Sequence, residues 1–182
     1  CGGSVGFGSF GIARGCAMAV IEASDQYRFP WYVRLFFRNQ KRRYGKVLEP
    51  ARLWGRTPKV FASLALLYGA FDRRSSPIDP VLRTLVTVRV SQINWCSFCI
   101  DINSSLALRR GLSEEKLLQL ERFADSDKYD EREKAVLSYV EAVTYSDRQP
   151  TARHFGALRE HFDDDAIIEL TALIAFQNMS SK

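Results

Sequence analysis

The chain has 182 residues, of which 46% are hydrophobic and 26% charged, a composition that excludes disordered and collagen-like proteins and suits a globular one. Its longest largely apolar stretch, residues 60–71, is shorter than the roughly 18 to 20 residues of a membrane-spanning helix, so we expect no such span. The net charge is +5, and the excess of positive charge is concentrated in residues 28–59. This segment holds ten of the 26 Lys and Arg residues and one acidic residue, Glu49.

The basic segment follows a Gly- and Ser-rich stretch, residues 1–16, which predicts a flexible arm, and a helical pattern begins near Ala17. A helix is predicted after Pro30 that ends at Gly45. One face of this helix carries Tyr32, Val33, Phe36 and Phe37, and the other carries Arg34, Arg38, Lys41 and Arg42. We expect the aromatic face to pack on the domain or on another subunit, with an anionic membrane surface as the second choice of partner and nucleic acid as the third.

Helix start signals recur along the rest of the chain. Thr57-Pro58 and Asp79-Pro80 each place a capping residue before a proline. The segment after Asp79, PVLRTLVTVRVSQIN, is rich in β-branched residues, but its length and apolar spacing predict a helix rather than a strand. Further helices are predicted from about Cys96 to Arg110, closed by Gly111, and after Ser113, Asp130, Thr151 and Asp163. The sequence therefore predicts an all-α, multi-helix bundle with short connections.

The four cysteines, at positions 1, 16, 96 and 99, are too few and too unevenly spaced for the disulfide framework of a small secreted protein. We therefore expect a reducing compartment, the cytoplasm. His154 and His161 lie more than fifty residues from Cys99, unlike the ligands of a zinc finger. Neither a metal nor another cofactor is expected.

Cys96 and Cys99 form the candidate catalytic site, in the stretch INWCSFCIDINSS. Two residues between the cysteines allow a disulfide, and the first turn of a helix lowers the pKa of a thiol, so the pair has the features of a redox-active dithiol. Half of a metal site and two small apolar core residues are the alternatives. On physical grounds alone Cys96 would be the nucleophile, because it is nearest the helix N-terminus.

The stretch LRTLVTVRVSQINWCSFCIDINSSLALRRGLS resembles the core helix pair of the carboxymuconolactone decarboxylase and alkylhydroperoxidase D-like family. The matching positions are Leu82, Arg83, Leu85, Val86, Arg89, Val90, Ser91, Gln92, Asn94, Cys96 and Cys99. The segments EREKAVLSYVEAVT and LREHFDDDAIIELTALIAFQN are similar to the C-terminal helices of the family, so the resemblance covers roughly residues 58–178. We therefore divide the chain into an N-terminal arm and basic helical extension, residues 1–57, and a family-like helical domain, residues 58–182.

The resemblance implies an alkylhydroperoxidase D-like bundle that assembles as trimers or hexamers and reduces peroxides without a cofactor. In that family the second cysteine of the motif attacks the peroxide and the first resolves it, which assigns attack to Cys99 and reverses the order expected from the helix terminus. We adopt the family assignment for the peroxide step. Cys96 is then the sulfur that exchanges with an external thiol reductant.

Two positions depart from the family pattern. The Glu and His of the proton relay correspond here to Thr84 and Asn103, and neither side chain is a general base near neutral pH. Asn103 lies one helical turn from Cys99 and can orient a water or a sulfur, but it cannot relay protons alone. The retained dithiol argues against decarboxylase chemistry, because the decarboxylases of the family lack it.

Other polar residues near the motif have ordinary interpretations. Asp101 is two positions from Cys99, points elsewhere on the helix and is expected to be a solvated or packing residue. Arg89 could supply positive charge to a thiolate, but an ion pair is the commoner role of such a residue. Gln92 and Asn94 either position a substrate or cap a helix, and the two histidines are expected to be packed or exposed.

The sequence thus predicts a thiol-dependent oxidoreductase that acts on a small-molecule peroxide or disulfide. The alternative is a non-enzymatic binding or assembly module that holds an anionic partner with its basic N-terminal helix. Residues 60–71 and 166–176 are apolar almost all round, which predicts burial on several sides. We therefore expect a homo-oligomer whose interface includes parts of residues 31–37 and 60–71.

Overall fold

Each helix that the start signals predict beyond residue 27 is present in the structure, a computed structural model that describes residues 27–182. The predicted arm, the helical pattern from Ala17, and the cysteines at positions 1 and 16 lie outside the described residues. Within the described range there are nine α-helices and no strand, which confirms the all-α prediction. The chain divides into two units between Leu67 and Tyr68, and each has a hydrophobic core of its own.

The first unit contains α1 (Trp31–Tyr44), α2 (Glu49–Trp54) and the beginning of α3 (Pro58–Phe71). Its core consists of Val33, Ala51 and Phe61, with Phe29, Phe36 and Phe37 packed against them. On the predicted aromatic face of α1, Val33 is therefore buried and Phe36 and Phe37 are partly buried, while Tyr32 is exposed. Gly45 ends α1 in the left-handed conformation (φ 74°), and its amide donates to the carbonyl of Lys41.

The second unit contains α4 (Pro80–Ile93), α5 (Ser97–Arg109), α6 (Glu114–Leu118), a 3₁₀ turn (Leu120–Arg122), α7 (Glu131–Thr144), α8 (Ala152–Arg159) and α9 (Asp164–Ser181). α4 is central and packs against α5, α7 and α9. Its side chains at Leu85, Val86 and Val90 are completely buried. Burial on several sides explains why α4 is apolar around most of its circumference and why its β-branched residues are accommodated in a helix.

Two aspartates begin helices of this unit as predicted. Asp79 precedes Pro80, and its Oδ1 accepts hydrogen bonds from the amides of Val81 (3.1 Å) and Leu82 (2.9 Å). At the start of α7 the Asp130 carboxylate accepts from the amide of Glu133, whose own carboxylate accepts from the Asp130 amide. Such caps contribute about 1 kcal/mol each and fix where the helix begins.

Glu169 of α9 holds the turn that connects α3 and α4. Its carboxylate accepts hydrogen bonds from the guanidinium of Arg73 and from Ser76 Oγ, the latter at 2.6 Å. Burial acts to raise the pKa of Glu169, but the hydrogen bonds from Arg73 and Ser76 and the positive charges of Arg73 and Arg83 lower it overall. The carboxylate therefore stays ionised and positions the turn beside the first residues of α4.

The two helices predicted to be apolar almost all round, α3 and α9, differ in how many of their apolar side chains are buried. α9 buries Ile167, Leu170 and Ile174 in the core of the second unit. On α3, in contrast, Leu66 is 76% exposed and Val60 and Tyr68 are also exposed. Within residues 27–182 no helix has the length and apolar character needed to cross a membrane.

Candidate functional site

The candidate site begins where α4 ends. The Trp95 amide donates to the carbonyl of Gln92 and the Cys96 amide donates to the carbonyl of Ser91, both at 3.1 Å. These two bonds form the Schellman motif, in which the chain leaves a helix through one left-handed residue. Trp95 occupies that position with φ 55°, where glycine is the usual residue.

This turn places both cysteines at the N-terminus of the next helix. Cys96 is the capping residue of α5 and Cys99 lies in its first turn. A disulfide joins the two residues, whose Cα atoms are 5.2 Å apart, a usual separation for such a bond. The unpaired amides of a first helical turn point toward such side chains, and the helix dipole favours negative charge there.

The two sulfur-bearing residues differ in accessibility. Cys99 is buried (8% exposed), and its Sγ lies 3.9 Å from the carbonyl oxygen of Ser180. Cys96 is partly exposed, and it is flanked by Trp95, whose side chain is 90% exposed, and by the exposed Phe98. A large partner molecule can therefore reach Cys96 more easily than Cys99.

The C-terminal end of α9 covers the site. The Asn94 side-chain amide donates to Asn178 Oδ1 (3.0 Å) and to Ser181 Oγ (2.8 Å). Sequence reasoning did not identify this segment, which reads QNMSS from residue 177. The available signal was its polar composition at the end of an otherwise apolar helix, and its partners are more than eighty residues away.

Ser91 connects α4, α5 and α9 beneath the cysteines. Its buried hydroxyl donates to the carbonyl of Thr87 (2.6 Å) and accepts from Asn103 Nδ2 (3.3 Å) and Gln177 Nε2 (3.1 Å). Its carbonyl is the acceptor of the Cys96 amide. Asn103 is therefore held by a hydrogen bond inside the bundle, on the helix face that carries Cys99 one turn earlier.

Thr84, the other relay position, is also engaged. Its Oγ1 donates to the carbonyl of Pro80 (2.7 Å) and accepts from the Arg110 guanidinium (2.8 Å). Arg110 in turn forms an ion pair with Asp72 at 2.5 Å. A hydroxyl in this arrangement has no tendency to take up a proton at neutral pH, as the sequence predicts.

Comparison with known proteins identifies the family of this chain. The model of the carboxymuconolactone decarboxylase family matches residues 58–142. The uncharacterised protein YnjA of Escherichia coli strain K12 is 39% identical over 142 residues, which are 78% of each chain. This chain belongs to the carboxymuconolactone decarboxylase family. The recognition made from the sequence is confirmed.

Two solved structures extend the comparison. A protein of unknown function from Agrobacterium tumefaciens, provisionally described as the antioxidant defence protein AhpD, is 31% identical, with a TM-score of 0.63 over 67% of this chain and 83% of that one. The debrominase Bmp8 is 23% identical, with a TM-score of 0.71 over 82% and 80% of the two chains. At that identity the likeness to Bmp8 shows the fold alone.

The other polar residues considered as site candidates are exposed or contact groups other than the cysteines. Arg89 forms an ion pair with Glu141 and donates to the side chain of Gln92. Asp101 is exposed, as expected. His154 accepts from the Thr151 amide and caps α8, and His161 is exposed. Among the described residues no group of His, Cys, Asp and Glu is arranged to hold a metal ion.

The left-handed conformation of Trp95 generates a stability prediction. An L-residue in this region costs roughly 1–2 kcal/mol, and the exposed indole recovers little of it by packing. We expect Trp95→Gly to raise the free energy of unfolding by about 0.5–1 kcal/mol, less than the full cost because glycine loses more entropy on folding. Denaturant unfolding measures the change. Trp95→Ala, which keeps the unfavourable φ, is the control, and a loss of stability in Trp95→Gly would contradict the prediction.

Proposed function

We propose that this protein is a thiol-dependent oxidoreductase that cycles Cys96 and Cys99 between a dithiol and a disulfide while it reduces a small peroxide. One observation carries the proposal: the two sulfurs are within bonding distance at the N-terminus of α5, with Cys99 buried and Cys96 accessible. A buried, dipole-stabilised thiolate suits attack on a small oxidant, and an accessible sulfur suits exchange with a larger reductant.

Membership of the carboxymuconolactone decarboxylase family supports this proposal. The relative from Agrobacterium tumefaciens is described, provisionally, in terms of antioxidant defence, and it covers two thirds of this chain. We take the same broad role as the proposal for this chain. Neither a metal nor a cofactor enters the proposed reaction.

In the first proposed step the Cys99 thiolate attacks one oxygen of the peroxide. A sulfur–oxygen bond forms and the oxygen–oxygen bond breaks, so that the peroxide is reduced and Cys99 is oxidised to a sulfenic acid. The departing alkoxide takes a proton from solvent, because Thr84 and Asn103 cannot supply one. The positive end of the α5 dipole stabilises the attacking thiolate.

In the second step the Cys96 thiolate attacks the sulfur of the sulfenic acid. The disulfide forms, and the hydroxide that leaves is protonated by solvent to water. An external dithiol then attacks the accessible Cys96 sulfur, and a second exchange returns two electrons to the pair. The cysteines regain the dithiol form and the external partner leaves as a disulfide.

Disulfide exchange is the second proposed reaction of the same site. The observation that favours it is that both relay positions are occupied by hydrogen-bonded neutral side chains, Thr84 and Asn103, while Cys96 remains accessible. The same two cysteines would then act without forming a sulfenic acid. Consumption of a model disulfide, compared with consumption of an alkyl hydroperoxide, separates the two reactions.

The non-enzymatic alternative rests on the exposed side of α1. Trp31 is 76% exposed, and it forms a shallow groove with Arg34, Leu35 and Arg38 that could hold an anionic partner. This groove does not include Val33, Phe36 and Phe37, which pack in the core of the first unit. Binding without any turnover by the cysteines would favour this alternative over the oxidoreductase.

We further propose that the protein assembles as a trimer or hexamer. The exposed apolar side chains of α3 are the support within the structure, since such a surface costs free energy in water until another surface covers it. The sequence also predicts that residues 31–37 contribute to the interface. Val33, Phe36 and Phe37 are packed in the first unit, so α3 is the better place to test.

The roles of the two cysteines are tested by single substitutions. We expect Cys99→Ser to abolish consumption of an alkyl hydroperoxide, because the attacking sulfur is lost. Cys96→Ser should instead stop the cycle after one turnover, with a sulfenic acid or a mixed disulfide on Cys99 that mass spectrometry detects. Equal residual turnover in both variants would refute the assignment. A pair that resists mild oxidants, or thiols that titrate near 8.5 like free cysteine, would leave the oxidoreductase proposal without support.

The effect of the missing proton relay is tested by introducing its Glu and His at positions 84 and 103. We expect slow turnover of alkyl hydroperoxide by the wild type and a rise of roughly tenfold or more in Thr84→Glu with Asn103→His, because general acid–base catalysis typically contributes ~10²-fold or more. Steady-state kinetics at neutral pH measures the change. Thr84→Gln with Asn103→Gln is the matched control for size, and an unchanged rate in the Glu and His variant would mean that protons arrive by another route.

The assembly is tested by its mass in solution. We expect light scattering to give about three or six times the chain mass of 20.7 kDa at micromolar concentration, and Leu66→Asp to reduce it. Leu118→Asp on α6 is the matched control, because both side chains are 76% exposed and a change at Leu118 should leave the mass unaltered. A wild-type mass near that of one chain would contradict the proposal.

A further inference from the structure

A small cavity of about 40 Å³ lies inside the second unit, where the end of α3 and helices α4, α5 and α9 meet. Its apolar wall includes Phe71, Leu106, Leu173 and Phe176. Two arginines, Arg83 and Arg110, also line it. The space is large enough for about three or four water-sized groups, at roughly 10–15 Å³ for each.

Arg83 is the residue that sets this cavity apart. The residue is only 6% exposed, and its terminal nitrogens lie 3.2 Å from the carbonyl oxygen of Arg73 and 3.5 Å from Asp72 Oδ1. Its buried Nε has no hydrogen-bond partner among the described residues. Burial lowers the pKa of Arg83 and outweighs the neighbouring carboxylate of Asp72, which raises it. A buried donor without an acceptor is costly, and it is rare in folded proteins.

The two arginines that line the cavity share one carboxylate among its lining residues. Arg110 forms a close ion pair with Asp72, at 2.5 Å, so the same Oδ1 atom serves both guanidinium groups. Among the described residues that line the cavity, Asp72 is the only carboxylate. The lining residues therefore carry two positive charges and one negative charge, while Glu169 and Asp79 act on Arg83 from outside the lining.

A carboxylate satisfies both conditions. The planar guanidinium offers Nε and one terminal nitrogen as parallel donors, which match the two oxygens of a carboxylate. The apolar side chains opposite fit a short hydrocarbon body, and the volume limits the ligand to a few heavy atoms. We propose that this cavity binds the carboxylate of a small organic acid, with Arg83 as its principal donor.

The cavity is connected to the dithiol by hydrogen bonds. Asn103 and Gln177 both line the cavity, and both donate to the hydroxyl of Ser91. The Ser91 carbonyl accepts the Cys96 amide. A bound acid would therefore contact side chains that support the cysteine turn. The binding proposal goes beyond the proposed oxidoreductase function and does not depend on it.

The experiment is a titration of the full-length, ¹⁵N-labelled protein with sodium propionate, followed by the arginine Nε–H resonances in NMR spectra. Propionamide, which has nearly the same shape without the charge, is the comparison, and sodium chloride keeps the ionic strength constant. We expect saturable movement of one buried arginine resonance with propionate and none with propionamide. Equal responses to the two compounds, or no response to propionate, would overturn the proposal.

Variants identify the donor. Arg83→Lys keeps a positive charge but loses the paired donors, so we expect propionate affinity to fall by about tenfold or more. Arg73→Lys is the matched control, because Arg73 pairs with Glu169 and does not line the cavity, and its affinity should stay within about twofold of the wild type. Unchanged affinity in Arg83→Lys would refute the assignment.

A second variant is expected to increase the affinity for propionate, and a folding defect would not produce such an increase. Asp72→Asn removes the carboxylate that competes for both guanidinium groups, and we expect propionate to bind about threefold or more tightly. Weaker or unchanged binding in Asp72→Asn would contradict the proposal. No redox reaction takes place in these titrations, so their failure would leave the proposed oxidoreductase function intact.

Discussion

The candidate site depends on the hydrogen bonds of one buried residue, Ser91. Its carbonyl holds the amide of Cys96 and so fixes the turn from α4 into α5, and its hydroxyl joins Thr87, Asn103 and Gln177 on three helices. A hydroxyl with one donor and two acceptor sites is fully used in this arrangement. Loss of any partner would leave a polar group unsatisfied in a dry interior, which costs about 1–3 kcal/mol. The position of the dithiol is therefore set by the packing of α4, α5 and α9 together.

Local signals were sufficient to predict most of the fold. Asp79 with Pro80, and Asp130 with Glu133, announce helix starts through contacts within four residues, and these contacts are present. α2 was not predicted, because its six residues are too few for periodicity and Leu48 at its capping position has no side-chain acceptor. The sequence left open whether the aromatic face of α1 packs on the domain or on another subunit, and in the structure Phe61 of α3 packs against Phe36. Periodicity identifies an apolar face but not the surface that covers it.

The site could be predicted only in part. The cysteines and the relay positions Thr84 and Asn103 are close in sequence to the motif, and a family pattern identifies them. Ser180 next to Cys99, and Asp72 between Arg83 and Arg110, come from distant segments, so no spacing rule links them. Arg83 is especially hard to interpret from sequence. It matches the family pattern, and only the packed structure shows that its Nε has no hydrogen-bond partner among residues 27–182.

The hydrogen bonds that hold Thr84 and Asn103 affect which substrate suits the proposed dithiol reaction. Reduction of an alkyl peroxide expels an alkoxide, a strongly basic leaving group that benefits from a nearby acid. Disulfide exchange expels a thiolate, whose conjugate acid has a pKa near 8.5, so it leaves readily without one. A hydroxyl held by Arg110 and an amide held by Ser91 cannot donate a proton in the first reaction and are not needed in the second. The basicity of the leaving group thus explains why slow turnover is expected with alkyl peroxides, whereas the second proposed reaction, disulfide exchange, has no need of an acid.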